Sequence, residues 1–164
     1  MFILVTDDDP EDRDLIQETI REIDPSIECV TARTGEECID LLNDLSFLPD
    51  LIFLDVNMPM MNGLDCLVIL KQMDRLKHVP VVMLSTTLRY EDIEEFKKLG
   101  ADHVKKPNTY QKLYDTLQRY ILKYSGTKSE WSSSQKKTPS GSGWMGFQSV
   151  LFLSLFPTTA TTRI

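Results

Sequence analysis

Three consecutive carboxylates, Asp7, Asp8 and Asp9, follow the apolar run Phe2-Ile3-Leu4-Val5-Thr6, and a second apolar run, Leu51-Ile52-Phe53-Leu54, ends in Asp55. Parallel strands of an open α/β sheet collect their ligands at the carboxyl ends, so two such strands side by side bring Asp7, Asp8 and Asp55 into one small pocket. Clustered carboxylates repel one another. They are tolerated where a hard divalent cation such as Mg²⁺, which prefers oxygen ligands, supplies the compensating charge. A simpler role also exists for part of the acidic run: Asp9 reads as a helix N-cap with Pro10 in the first helical position. Asp55, Ser85 and Lys106 each fall at the end of a separate strand candidate, and that agreement points to a shared site.

The elements that must carry these residues alternate between short β-rich runs and helical spacing, the pattern of βαβ units around a parallel sheet. Strands are predicted at Phe2 to Thr6, Ile27 to Thr31, Leu51 to Leu54, Val79 to Leu84 and His103 to Lys105, each followed by a helix. The first helix starts near Pro10, places Ile16, Ile20 and Ile23 on one face and ends before Pro25. Thr34-Gly35-Glu36-Glu37 reads as a capping box for the second, whose inner stripe is Cys38, Leu41, Leu42 and Leu45. The third follows Asn62-Gly63 and buries Leu64, Leu67 and Leu70. The fourth runs through Ile93 and Phe96 to Leu99-Gly100, where glycine suits a left-handed cap. The fifth carries Leu113, Leu117, Tyr120, Ile121 and Tyr124 on one stripe.

At 164 residues and 41% hydrophobic content the chain suits one globular domain. Beyond Tyr124 the composition turns to Ser, Thr, Gly and Lys without periodicity, which predicts a disordered tail over 125–164 ending in the short apolar run Val150 to Phe156. That tail carries a net +3, so with −7 overall residues 1–124 hold −10. So acidic a body disfavours nucleic-acid binding, which relies on clustered Lys and Arg. No stretch is long enough to span a bilayer, so no membrane association is expected. Cys29, Cys38 and Cys66 show no metal-ligand spacing, and no basic segment precedes the first apolar run; both features predict a reduced, cytoplasmic protein.

Taken together, the acidic pair after the first strand, Asp55-Val56-Asn57-Met58-Pro59 with Asn62-Gly63 after the third, Val81-Val82-Met83-Leu84-Ser85-Thr86 at the fourth and Lys105-Lys106-Pro107 at the fifth resemble the receiver domain of two-component response regulators. The segments Asp9-Pro10-Glu11-Asp12 and Leu84-Ser85-Thr86-Thr87 look most like small stand-alone receivers of the phytochrome-associated type. The resemblance covers residues 1–124. It implies a five-stranded, doubly wound, flavodoxin-like parallel sheet in the order 2-1-3-4-5 with five helices. It further implies that Asp55 accepts a phosphoryl group from a phosphohistidine on a sensor histidine kinase or phosphotransfer protein. Mg²⁺ is then held by Asp8, Asp55 and the Asn57 carbonyl, with Asp7 acting mostly through water. Lys106 neutralises one phosphoryl oxygen and Ser85 donates to another. A downstream protein target is the output partner such a module implies; the resemblance leaves open whether it also forms a homodimer on phosphorylation. His103 stands where the family more often has Tyr or Phe, and the Lys106–Pro107 bond is expected to be cis.

The residue chemistry agrees with that reading. A carboxylate is a competent nucleophile toward phosphorus, and phosphoryl transfer needs chiefly positioning and charge neutralisation. A haloacid-dehalogenase-type phosphohydrolase also uses a strand-end Asp, but it wants a second acid two residues on. Here that position is Asn57, which cannot act as general acid or base. Met58, Met60 and Met61 read as loop packing.

Overall fold

The computed structural model describes residues 1–44, 48–87 and 89–126; Leu45 and all of the expected 125–164 tail but its first two residues, with its apolar run, lie outside the described residues. Five strands and five helices alternate: β1 (Phe2–Thr6), α1 (Pro10–Ile23), β2 (Glu28–Ala32), α2 (Gly35–Asp44), β3 (Leu51–Asp55), α3 (Gly63–Gln72), β4 (Val81–Ser85), α4 (Tyr90–Lys98), β5 (Asp102–Lys105) and α5 (Tyr110–Ser125). The sheet is parallel throughout, as the alternating pattern predicted, and ordered β2-β1-β3-β4-β5, as the resemblance implied.

Four strands differ from expectation by one or two residues at an end: β3 runs one residue further, to Asp55, β5 starts one residue earlier, at Asp102, and β2 and β4 are shifted along the chain. β2 starts one residue late because the Ile27 amide is engaged by the Asp24 carbonyl in the preceding turn. β4 starts at Val81, since Pro80 has no N–H to give the ladder, and it extends one residue to include Ser85.

The period of two along each central strand divides the core. Ile3, Val5, Leu51, Phe53, Val82 and Leu84 face α1 and α5, where they meet Ile16, Ile20, Leu113, Leu117, Tyr120 and Ile121. Leu4, Ile52, Leu54, Val81 and Met83 face the other way, against Cys38, Leu42, Cys66, Leu67, Leu70 and Phe96 of α2, α3 and α4. β1, β3 and β4 are buried on both faces, which is why they read as continuous apolar runs. α4 is the exception among the helices: Phe96 is its one buried residue. Of the three loop methionines, Met58 is buried and Met61 packs on the core, but Met60 is 91% exposed.

The caps follow their sequence signals with one variation. Asp9 accepts from the Glu11 amide, Asn62 from the Asp65 amide, and Thr34 Oγ1 from the Glu37 amide at 3.1 Å. The Glu37 carboxylate, however, returns to the Arg33 amide at 2.7 Å rather than to that of Thr34. Gly100 adopts φ 68° at the end of α4, the left-handed conformation that a Cβ disfavours.

Gly63 is required for a different reason. A Cβ there would lie 2.1 Å from the Asp55 carbonyl oxygen and 2.8 Å from the Val56 Cα, both backbone atoms. At Gly35 the obstruction is the flexible Met61 side chain, 2.7 Å away. Gly63→Ala is therefore expected to destabilise the fold by about 1–3 kcal/mol, while Gly35→Ala costs clearly less because Met61 can turn aside. Urea unfolding of both variants measures the contrast, and equal losses would contradict it.

Candidate functional site

The carboxyl ends of β1, β3, β4 and β5 converge on one edge of the sheet, and the chain beyond each strand continues the ladder far enough to fix the next side chain. The Asp7 amide donates to the Ala32 carbonyl at 3.1 Å, Val56 to Leu84 at 2.8 Å, and Lys106 to Ser85 at 2.7 Å. The β3–α3 loop closes on itself through the Gly63 amide and the Val56 carbonyl at 3.0 Å, the approach that excludes a side chain at 63.

Asp7, Asp8 and Asp55 each present a carboxylate oxygen within 4.8 Å of the others. Asp7 and Asp55 are buried and Asp8 is exposed, so the cluster opens to solvent on the Asp8 side. The Lys106 ammonium lies 2.7 Å from Asp7 Oδ2 and 2.7 Å from Asp55 Oδ1, and donates to Asp12 Oδ2 at 2.9 Å. Lys105, equivalent by composition, is exposed at the strand end. Asp55 Oδ2 accepts from the Asn57 amide at 2.7 Å, and Asp7 Oδ1 from the Asp9 amide at 3.1 Å. The Asn57 Nδ2 donates to Ser85 Oγ at 3.2 Å. Ser85 is buried; its hydroxyl donates to the Thr87 carbonyl at 2.5 Å and accepts from the Thr87 amide at 3.2 Å. Every candidate drawn from the sequence thus lies at this edge.

The Lys106–Pro107 bond departs from expectation: no peptide bond among the described residues is cis. Trans is the intrinsic preference of an X–Pro bond by about 0.5–1 kcal/mol, and with it Lys106 already reaches three carboxylates. His103 faces α4 and stacks obliquely on Phe96, with ring centroids 6.3 Å apart.

Asp12 is the residue that sequence reasoning missed. As an acid in the first turn of α1 it had an ordinary explanation in the helix dipole. The usable signal was Pro10, which fixes the helix start and so sets the first turn of α1 over the end of β1.

Four carboxylates around one ammonium leave the site short of positive charge. Burial pushes the Asp7 carboxyl up from 3.8 to about 6; Lys106 opposes that rise, and the neighbouring Asp55 adds to it. Burial alone would depress the Lys106 amine, but its contacts with Asp55, Asp7 and Asp12 outweigh that and raise it. Asp7 Oδ2 and Asp55 Oδ1 are buried, touch the ammonium as ion pairs, and accept no well-directed hydrogen bond. Hard, oxygen-rich, incompletely satisfied and open at Asp8, this donor set fits a divalent cation such as Mg²⁺.

The chain belongs to the family of response regulator receiver domains, whose family profile matches residues 3–118. Such domains are phosphorylation-activated signalling modules of two-component systems rather than turnover enzymes, and they bind Mg²⁺ at an acidic pocket. Membership sets aside the phosphohydrolase alternative. The transcriptional regulatory protein CpxR of Escherichia coli (strain K12) is 36% identical over 143 residues, which cover 85% of this chain and 55% of CpxR. The chain thus spans about half the length of that relative. Among solved structures, the phosphorylated cyanobacterial phytochrome response regulator RcpA is 30% identical, with a TM-score of 0.71 over 77% of this chain and 94% of that one. A Mn²⁺-bound form of response regulator Rcp1 is 27% identical with a TM-score of 0.69, covering 77% of this chain and 95% of its own. Among the described residues no helix is long and apolar enough to cross a membrane.

The raised Asp7 gives a pH dependence of definite sign. Between about pH 4 and 6 the folded protein holds a proton that the unfolded chain has released, so in the metal-free protein this group's contribution to stability declines as pH rises through that window. A bound cation reverses the penalty by favouring the ionised form. Mg²⁺ should therefore raise the melting temperature more at about pH 7.5 than at about pH 5. Asp7→Asn should stabilise the metal-free protein at the higher pH by on the order of 1–3 kcal/mol and remove most of the Mg²⁺ gain. Calorimetry of both proteins with and without Mg²⁺ tests this; a Mg²⁺ gain independent of pH would contradict it.

Proposed function

We propose that the chain is a phosphorelay receiver in which Asp55 is the phosphoacceptor, and that it signals through protein contacts. The observation that carries this reading is the Lys106 ammonium 2.7 Å from the buried Asp55 Oδ1, in a cleft shared with Asp7 and Asp8. Asp8, Asp55 and the Asn57 carbonyl are the groups that would hold Mg²⁺, with Asp7 behind them. When bound, the ion supplies charge neutralisation to the phosphoryl oxygens. A carboxylate oxygen of Asp55 attacks the phosphorus of a partner's phosphohistidine; the new O–P bond forms as the P–N bond breaks, and the electron pair leaves with the imidazole nitrogen. The fixed charge of Lys106 and the surrounding backbone need no reorganisation during transfer.

Ser85 is the switch in this reading. Its hydroxyl donates to Thr87 in the structure described, and turning it toward an acyl phosphate releases the segment after β4. The α4–β5 face then shifts between two packings, with the Phe96–His103 contact joining its two elements. α4 suits that role, held to the core as it is by one buried side chain. A sensor histidine kinase or phosphotransfer protein on the donor side and a protein target, or a second receiver, on the output side are the partners this mechanism requires. Such partners act in the cytoplasm, as the free thiols of Cys29, Cys38 and Cys66 suggest.

Labelling by acetyl phosphate with Mg²⁺ should appear in the intact chain and vanish in Asp55→Asn, with beryllofluoride binding lost in parallel. Labelling that persists in that variant would refute Asp55 as the acceptor. The lifetime of the phosphorylated form should depend on Asn57 and Thr87, which flank the approach of water. Asn57→Lys removes the hydrogen bond to Ser85 and is expected to change the decay constant of the acyl phosphate. An unchanged decay, followed by loss of radiolabel, would remove Asn57 from that role.

A further inference from the structure

The Lys106 ammonium has three N–H groups and lies beside three carboxylates: Asp7 and Asp55 at 2.7 Å touch it as ion pairs without a well-directed hydrogen bond, and Asp12 at 2.9 Å accepts one. The three differ in what phosphorylation does to them. Asp55 is the oxygen that the phosphoryl group modifies, and Asp7 belongs to the metal pocket, so both contacts are altered when the site is loaded. Asp12 is neither. It sits at 42% side-chain exposure on α1, a different element from any strand end, and its oxygen accepts a hydrogen bond from Lys106 across 94 residues of sequence. Lys106, by contrast, is only 14% exposed, so its position is defined by these contacts rather than by water. Asp12 and Lys106 also line one cavity of about 210 Å³ between α1 and the start of α5. Pro10 and the Asp9 cap fix the first turn of α1 and with it the Asp12 Cα.

Building on the assignment of Asp55 as acceptor, we infer that Asp12 is a positioning residue for phosphoryl acceptance, holding the Lys106 amine by an accepted hydrogen bond so that a free N–H points at the incoming group. The Asp12 contact stays in place while the Asp55 contact passes to a phosphoryl oxygen. Lys106 then meets the phosphoryl group already oriented and does not have to be drawn from solvent. The negative charge that Asp12 adds near an anion works against binding, and the geometry predicts that orientation outweighs it because the amine is shielded while the Asp12 carboxylate is open to water.

The test is Mg²⁺-dependent beryllofluoride affinity and the initial rate of labelling by acetyl phosphate in the full chain. Asp12→Ala should weaken both by about fivefold. Asp12→Asn, which keeps an acceptor oxygen and drops the charge, should stay within about twofold of wild type. In a Lys106→Ala background, Asp12→Ala should add nothing. A purely structural role at the start of α1 would instead give the same loss with or without Lys106. Wild-type or tighter binding in Asp12→Ala, a loss in Asp12→Asn equal to that in Asp12→Ala, or additivity with Lys106→Ala would each overturn the inference. A wild-type chain that takes no label at Asp55 would instead refute the acceptor assignment beneath it.

Discussion

One ammonium among four carboxylates is the constraint around which this fold is organised. Asp7, Asp8 and Asp55 are brought together by the parallel sheet, and Lys106 reaches them from the end of β5, two strands from β3 and three from β1. Without Lys106 the buried Asp7 and Asp55 would face each other with no compensating charge, a cost that a protein interior does not sustain. With it alone the balance is still negative, which explains why burial lifts Asp7 toward its neutral form. That deficit is one a divalent cation fits.

Positioning comes from the register of the sheet. Leu54 pairs with Met83 and Ser85 with Lys105, so the ends of β3, β4 and β5 align to within a residue and place Asp55, Ser85 and Lys106 on one rim. The loop from Val56 to Gly63 folds so tightly under Asp55 that its closing residue has no room for a Cβ. The same loop holds Met60 at φ 67°, a left-handed conformation unusual for a side chain of that size. Strain of this kind persists only where surrounding structure imposes it, and here it lies five residues from Asp55.

Most of this was legible in the sequence because it depends on strand ends. Asp7, Asp8, Asp55 and Ser85 follow runs whose apolar character marks them as central strands, and Pro107 distinguishes Lys106 from Lys105. Boundaries set by turns were less legible: the Asp24–Ile27 turn and Pro80 moved two strands by one or two residues. Asp12 was hidden because its contact is a tertiary one between a helix and the end of β5, and periodicity carries no information about such pairs. The peptide isomer before Pro107 was likewise beyond sequence patterning, since both isomers lie close in energy.

The Ser85 hydroxyl is held twice by Thr87 and once by Asn57, so its resting position is an occupied one. If it turns to a phosphoryl oxygen, several hydrogen bonds to neutral partners are exchanged for a charge-assisted one about twice as strong as each, so gain and loss largely offset. A near-even exchange can be biased from either side. On the proposed assignment of Asp55 as acceptor, any target that docks only on the turned form would, by reciprocity, stabilise the phosphorylated state in return, so that the listener shifts how much of the message stands at equilibrium.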